Sequence, residues 1–211
     1  MYKIDIYDAS GNKIWDKQLP VSIFNDDNIN ESLIHEFIVM QLANKRNPIA
    51  HTKTRGEVAY SWKKLYRQKW TGNARVGDAG SPIRRGGGVV FGPRNERNFK
   101  KDMPKKMRRK ALFGALTLKA KDEEIIGINS FDINEYKTKK ALQVLNNLNL
   151  VDEKVLIVTS EKNDYVWKSF NNLPNVKVLL VNFVNPYDLL TYKKILFEES
   201  AIDKLEEIFV K

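Results

Sequence analysis

The chain has 211 residues, a formal net charge of +10 and 42% hydrophobic residues, and it contains no cysteine. This length and composition suit one domain with a substantial core and exclude wholesale disorder. The lack of cysteine excludes disulfide frameworks, thiolate metal sites and thiol nucleophiles, and two histidines argue against a histidine-rich metal site. No run of 18 apolar residues and no signal-peptide pattern occurs, so we expect no membrane partner and a location in the cytoplasm or an equivalent organelle compartment.

Apolar patterns along the chain predict alternating strands and helices. In chain order they are strands at 3–8 and 13–19, helices over 31–46 and 104–121, a strand at 124–128, a helix over 136–148, a strand at 154–159, a helix over 164–172, a strand at 176–183, a helix over 186–192, a strand at 194–197 and a helix from Ser200 onwards. Asn30 or one of its neighbours is expected to cap the helix over 31–46, Asn185 is expected to cap the helix over 186–192, and Ser200 with Asp203 resembles a capping box.

The order of these elements predicts the fold class. Strands rich in Val, Ile and Leu that alternate with helices are typical of a mostly parallel sheet flanked by helices on both faces. We therefore expect an α/β fold with a single globular body formed by residues 1–44 and 104–211. Residues 45–103 then form a long, basic, extended loop, rich in arginine and glycine, that is inserted between two helices of that body.

The positive charge is concentrated in one part of the chain. Residues 45–110 hold 20 basic and 4 acidic residues, a net charge of +16, whereas the remaining residues are net negative. All 10 arginines and 8 of the 11 glycines lie in this stretch. Arginine suits phosphate groups because its planar fork can donate two parallel hydrogen bonds, and it also stacks on bases. We expect the stretch to become ordered on a polyanion, because it would otherwise repel itself.

Aromatic side chains between the cations indicate that this polyanion is a nucleic acid. The interleaved aromatic residues are Tyr60, Trp62, Tyr66, Trp70 and Phe91. Such rings suit base stacking, and the stretch lacks the apolar helical face that a bilayer would need. The predicted helix at Pro104 also begins with a cluster of cations, which opposes the helix dipole unless phosphates bind there.

No motif supports a cofactor or a catalytic site. Neither G-x-G-x-x-G nor G-x-x-x-x-G-K-[ST] follows a predicted strand, and Gly86-Gly87-Gly88 precedes a strand-like run rather than a helix. We expect no enzymatic activity, no cofactor and no metal. The alternative is a nucleic-acid-modifying enzyme that clamps its substrate with the basic stretch and uses Glu161 or Asp164, which follow a predicted strand, as the catalyst.

Four stretches are specific enough to point to a known family. They are Thr54-Arg55-Gly56-Glu57-Val58, Arg67-Gln68-Lys69-Trp70-Thr71-Gly72-Asn73-Ala74-Arg75, Ser81-Pro82-Ile83-Arg84-Arg85-Gly86-Gly87-Gly88-Val89-Val90-Phe91-Gly92-Pro93 and Pro104-Lys105-Lys106-Met107-Arg108-Arg109-Lys110-Ala111-Leu112. In order, spacing and surrounding α/β pattern, essentially the whole chain resembles the family of the fourth large-subunit ribosomal protein in its bacterial-type form.

The resemblance implies a structural component of the large ribosomal subunit, in a bacterial or organellar ribosome. It implies a primary binder of large-subunit ribosomal RNA that acts early in assembly and contacts several RNA segments. The loop tip is implied to line the peptide exit tunnel, close to the nascent peptide and beside another looped ribosomal protein. The alternative function is a regulator that binds its own messenger leader.

The RNA-binding residues predicted from the basic stretch and the matching motifs are Lys53, Arg55, Lys63, Lys64, Arg67, Gln68, Lys69, Arg75, Arg84, Arg85, Gly86, Gly87, Arg94, Lys105, Lys106, Arg108 and Arg109. By matching position, the resemblance places the exit-tunnel tip at Tyr66, Arg67, Gln68, Lys69 and Trp70.

The sequence departs from the family pattern at this tip. Leu65-Tyr66 stands where members commonly have Pro-Trp, Trp70 replaces a glycine and Asn73 replaces an arginine. Tryptophan adopts the dihedral angles open to glycine only at an energetic cost, and its size predicts a bulkier constriction. We hypothesise that Trp70 or Tyr66 projects toward the tunnel lumen or stacks on a ribosomal base.

Overall fold

A computed structural model of the chain describes residues 2–131 and 133–210. The chain divides into two compact units. One comprises the chain up to Leu42 and from Asp102 onwards, and we call it the body. The other is Ala43–Lys101, and we call it the basic unit.

The observed helices and strands follow the predicted order. They are β1 (Lys3–Tyr7), β2 (Lys13–Gln18), a 3-10 turn (Asp26–Asn28), α1 (Glu31–Asn44), α2 (Lys105–Lys121), β3 (Ile125–Ile128), α3 (Thr138–Asn147), β4 (Val155–Thr159), α4 (Asp164–Phe170), β5 (Val176–Leu180), a second 3-10 turn (Val181–Phe183), α5 (Pro186–Thr191), β6 (Lys194–Glu198) and α6 (Glu199–Phe209).

Within the described residues, six strands form one sheet in the order β2-β1-β3-β6-β4-β5. Among these strands, β1 and β2 pair in an antiparallel manner, which their short connection permits, and the other neighbouring pairs are parallel. The last strand, β6, lies between β3 and β4, so its formation requires strands that are distant along the chain. The predicted α/β class with a mostly parallel sheet is therefore confirmed.

The central strands are buried on both faces, and their alternation divides the core into two clusters. In β4, Leu156 and Val158 pack in one cluster, whereas Val155 and Ile157 pack in the other. The first cluster includes residues of α1, α2, α5 and α6, and the second includes residues of α3 and α4. This arrangement is the reason why the strand sequences read as continuous apolar runs.

Local capping explains several helix starts. The Asn30 side chain accepts from the backbone N–H of Leu33 at 3.0 Å, and Asn185 accepts from the N–H of Asp188 at 3.0 Å with Pro186 in the first turn. Both predicted asparagine caps are thus confirmed.

Two details near the C-terminus differ from prediction. The expected strand at 176–183 ends at Leu180, and the following residues form a 3-10 turn. The predicted capping box at Ser200 is wrong, because α6 begins at Glu199 without a side-chain cap. Asp203 instead pairs with Lys17 at 2.8 Å. A tertiary ion pair has taken the carboxylate that the local pattern assigned to the cap.

Candidate nucleic-acid interface

The basic unit is held together without regular secondary structure. Every residue from 45 to 104 is described, and none lies in a helix or a strand. Backbone hydrogen bonds nevertheless join distant parts of the unit, for example from Val89 N–H to Lys53 C=O at 2.9 Å and from Leu65 N–H to Gly77 C=O at 3.0 Å. These bonds bring separate cationic stretches of the chain close to one another.

The cations of the basic unit lie at its surface. Residues 43–101 contain 15 basic and three acidic residues. Of the predicted RNA-binding residues in this unit, Gly87 and Arg94 are partly buried and the rest are exposed; these are Lys53, Arg55, Lys63, Lys64, Arg67, Gln68, Lys69, Arg75, Arg84, Arg85 and Gly86. A surface of this charge attracts polyanions at long range and can neutralise phosphates on contact.

The predicted tip forms a tight turn closed by its own side chains. The hydroxyl of Tyr66 donates to the carbonyl of Ala74, and the Arg67 guanidinium donates to the carbonyl of Trp70 at 2.9 Å. Lys64 donates to the side-chain oxygen of Gln68 at 2.7 Å. Tyr66 is therefore partly buried against its own turn rather than freely projecting.

Trp70 has a left-handed backbone and an exposed ring. Its φ is +65° and its side chain is 86% exposed. The backbone therefore keeps a conformation that favours glycine, although a tryptophan stands there. An exposed indole on a cationic unit is a surface on which a base can stack.

Trp62 and Phe91 are further exposed aromatic residues of the basic unit, and Tyr60 lies partly buried beside Trp62. Phe91 has a φ of +55° and is fully exposed. The Tyr60 and Trp62 rings lie 5.0 Å apart, and the Arg55 guanidinium lies 5.6 Å from the Trp62 ring. The interleaved rings thus belong to the same unit as most of the arginines.

Within the basic unit, whose residues are all described, two predicted RNA-binding arginines have acidic partners that sequence reasoning missed. The guanidinium of Arg55 pairs with the buried carboxylate of Asp78. Both Arg94 amino groups bond to Glu57 at 2.7 Å, and this pairing, with the N–H of Thr54, holds the pKa of Glu57 at about 2. The sequence did contain a signal for these pairs: Glu57 and Asp78 are two of the few acidic residues in a strongly cationic stretch.

The glycine triplet allows close approach within the unit itself. A Cβ at Gly87 would overlap the carbonyl of Ser81, and one at Gly88 would overlap the backbone of Arg55. Gly86 instead has a φ of +81° and open space around its Cα. The glycines at 87 and 88 are therefore explained by packing of the chain on itself.

A second group of predicted residues lies on the body, at the start of α2. Lys105, Lys106, Arg108 and Arg109 are exposed there, the first turn has no acidic residue and Pro104 provides no side-chain cap. Arg108 donates to the carbonyl of Met103 at 2.8 Å. Positive charge at a helix N-terminus is locally unfavourable, and a bound phosphate would offset it.

The residues considered for catalysis lie elsewhere on the body. Glu161 and Asp164 line a cleft of about 710 Å³ near the ends of β4 and β6. Each is in an ion pair, Glu161 with Lys204 at 2.7 Å and Asp164 with Lys162 at 3.1 Å, and the Lys204 partner lowers the pKa of Glu161. In the described part of the chain, no group of three or more His, Cys, Asp or Glu residues is arranged to hold a metal ion.

No helix within residues 2–131 and 133–210 has the length and apolar character needed to cross a membrane.

Comparison with known proteins identifies the family of this chain. Residues 17–208 match the ribosomal protein L4/L1 family. A protein of Caldicellulosiruptor saccharolyticus is 43% identical over 209 residues, covering 99% of this chain and all of its own length. Proteins of Halothermothrix orenii and Clostridium novyi are 40% and 38% identical, over 100% and 99% of this chain and the full length of each relative. All three are named large ribosomal subunit protein uL4. With its cationic unit and its full-length similarity to these relatives, the chain belongs to the ribosomal protein L4/L1 family.

Proposed function

We propose that this protein is a structural component of the large ribosomal subunit and binds large-subunit ribosomal RNA through the basic unit. The observation that carries the proposal is the exposed cationic surface of residues 43–101 in a chain of this family. Its relatives bear the name of a large-subunit protein.

Binding in this proposal requires charge neutralisation and stacking, and no chemical step. Exposed arginines and lysines neutralise phosphates and release counterions, while Trp62, Trp70 and Phe91 offer exposed ring faces to unpaired bases. If roughly 8–12 cations contact phosphate, the logarithm of affinity should fall against the logarithm of salt with a slope of about −6 to −10. The exposed cations at the start of α2 would bind further phosphates.

We further propose that the protein acts early in subunit assembly and that residues 66–70 reach the peptide exit tunnel. There they would lie beside a second looped ribosomal protein and near the nascent peptide. The exposed Trp70 would then face the lumen or stack on a ribosomal base. A map of the ribosome with both Trp70 and Tyr66 buried in protein, away from base and lumen, would reject this part of the proposal.

Co-sedimentation with the large subunit after a high-salt wash tests the proposed function. A protein whose basic unit is embedded in RNA should stay with the subunit, whereas a surface contact held by charge is released by salt. The double variant Arg84→Gln, Arg85→Gln should be released at lower salt than the wild type. The control Lys139→Gln, Lys140→Gln removes the same charge from α3 and should behave like the wild type.

Quantitative release of the wild-type protein into the soluble pool would refute the structural role. A gel shift with the protein's own messenger leader that survives competition by ribosomal RNA would then favour a regulator. Turnover of labelled RNA that is lost in Glu161→Ala or Asp164→Ala would favour an enzyme.

A further inference from the structure

We infer that Glu57 and Asp78, although negatively charged, are positioning residues for RNA binding. This inference rests on the proposed function. Each carboxylate holds an arginine inside the basic unit and thereby fixes the surface that presents the remaining cations. The prediction is opposite in sign to that of a simple charge count, in which any acidic residue beside an RNA site weakens binding.

Two clusters of hydrogen bonds in the basic unit carry the inference, and Glu57 lies at the centre of the first one. It accepts two hydrogen bonds of 2.7 Å from Arg94 and one of 2.8 Å from the N–H of Thr54. Arg94 also donates to the carbonyl of Thr52 at 3.0 Å. The N–H of Thr52 in turn donates to the carbonyl of Pro93 at 3.0 Å. The carboxylate thus joins residues 52–57 to residues 93–94, which are about 40 positions apart, through a bidentate pair of defined geometry.

Asp78 lies at the centre of the second cluster. Its side chain is buried, with a relative exposure of 5%, which is unusual for a carboxylate in a unit without a regular core. It pairs with the Arg55 guanidinium and accepts from the N–H of Gly80 at 3.1 Å. The N–H of Gly88 donates to the carbonyl of Gly80 at 3.0 Å, and a Cβ on Gly88 would overlap the Arg55 backbone. The carboxylate therefore joins Arg55 to residues 78–80, and Gly88 packs against both of these stretches.

In these two clusters, Arg55 and Arg94 bond to their own chain, which leaves them fewer donors for phosphate. An arginine whose donors bond to a carboxylate and to backbone carbonyls has fewer donors left for phosphate. Its contribution is then the shape of the unit, which determines where neighbours such as Lys53 and Arg84 are presented. Loss of this shape increases the conformational entropy that RNA binding must overcome.

Glu96 is the matched control. It is the third acidic residue of the basic unit and is exposed, and its charge acts on Arg94 without the two hydrogen bonds that Glu57 accepts from that arginine. The variants Glu57→Gln, Asp78→Asn and Glu96→Gln each remove one negative charge at almost unchanged side-chain size. Any shared effect reflects charge, and any difference between them reflects the two clusters.

Filter binding of the full-length variants to deproteinised large-subunit ribosomal RNA, across a series of KCl concentrations, tests the inference. We expect Glu57→Gln to lose about threefold in affinity, because its pair is half-exposed. Asp78→Asn should lose about tenfold or more, because its partner pairs with a buried carboxylate. Glu96→Gln should bind as tightly as the wild type or slightly more tightly. Neither cluster variant should show a steeper salt dependence than the wild type.

The opposite result overturns the inference. If Glu57→Gln and Asp78→Asn bind more tightly and their salt slopes steepen by about 0.7–0.9 each, the released arginines have gained phosphate contacts and the carboxylates only screened them. The charge swap Glu57→Arg with Arg94→Glu keeps the net charge and should recover part of the lost affinity. Failure of the wild-type protein to prefer this RNA over an unrelated RNA would instead refute the proposed function, so the two failures are distinguishable.

Discussion

The left-handed backbone of Trp70 yields a prediction in which glycine is a better replacement than alanine. The residue has a φ of +65°, and its carbonyl accepts a hydrogen bond of 2.9 Å from Arg67. Both Trp70→Ala and Trp70→Gly remove the ring and keep that carbonyl. Only the glycine variant is free of the Cβ clash that disfavours this conformation.

The expected difference follows from two opposing terms. A left-handed conformation costs a residue with a Cβ about 1–2 kcal/mol. Glycine has more freedom in the unfolded chain, which costs it about 0.4–1 kcal/mol relative to alanine. The difference between these terms is roughly 0–1.6 kcal/mol, with a midpoint of about 0.8 kcal/mol in favour of glycine, so Trp70→Gly should bind ribosomal RNA about two- to fivefold more tightly than Trp70→Ala.

The same experiment also measures the change in RNA affinity caused by removing the indole ring. Because the indole is 86% exposed, its removal loses little packing within the chain. If it stacks on a base, Trp70→Ala should bind at least about fivefold more weakly than the wild type, since stacking contributes about 1–3 kcal/mol per base, and Trp70→Gly should recover part of that loss through its backbone. If it faces the tunnel lumen, Trp70→Ala should bind RNA as tightly as the wild type, because both residues carry a Cβ.

Filter binding at one salt concentration measures these ratios, and Thr71 supplies the control. Its φ is not positive, so Thr71→Gly should bind no more tightly than Thr71→Ala. Equal or tighter binding by Trp70→Ala than by Trp70→Gly would refute the reasoning, because the left-handed turn would then be absent from the RNA-bound protein.

Three further predictions concern both units. NMR titration should find the pKa of Glu57 at about 2 in the wild type and higher in Arg94→Ala, but still below the ordinary value because the N–H of Thr54 continues to donate to the carboxylate. Since the folded pKa is depressed, the stabilisation from this pair is present above about pH 4.5 and is lost as the pH falls toward 2, and an unchanged pKa in the variant would contradict the pairing. Gly88→Ala should weaken RNA binding, because the added Cβ overlaps the facing backbone, whereas Gly56→Ala, with open space around it, should not; equal effects would contradict the packing. Leu196→Ala, at a fully buried position of β6, should lower the free energy of unfolding by about 2–5 kcal/mol in urea, and a loss below about 1 kcal/mol would show that β6 is not central to the core.

The body was largely predictable because its elements are specified locally. The asparagine at 185 followed by Pro186 identifies a helix start without knowledge of the rest of the chain. The run 155–158 is apolar throughout, and only a strand covered on both faces buries such a run completely. The failures were of another kind: Asp203 has the local features of a capping residue, but Lys17, distant in sequence, pairs with it.

The candidate interface was predictable in composition and much less so in geometry. Clustering of every arginine in one stretch is a property of the sequence, and it indicates a polyanionic partner without knowledge of any tertiary contact. The pairs Arg55–Asp78 and Arg94–Glu57 join residues 23 and 37 positions apart, and no periodic pattern connects them. The sequence therefore could not distinguish arginines that bind their own chain from arginines free to meet phosphate.

The sequence by itself determined the order of helices and strands, the apolar faces they bury and the segregation of positive charge, because these depend on neighbours within a few residues. Tertiary structure decided that β6 lies between β3 and β4, that Trp70 has a left-handed backbone and that two carboxylates hold arginines inside the cationic unit. Each of these depends on contacts between distant residues, whose stabilisation must exceed the entropy lost in closing the intervening chain. Local patterns contain no information on that balance.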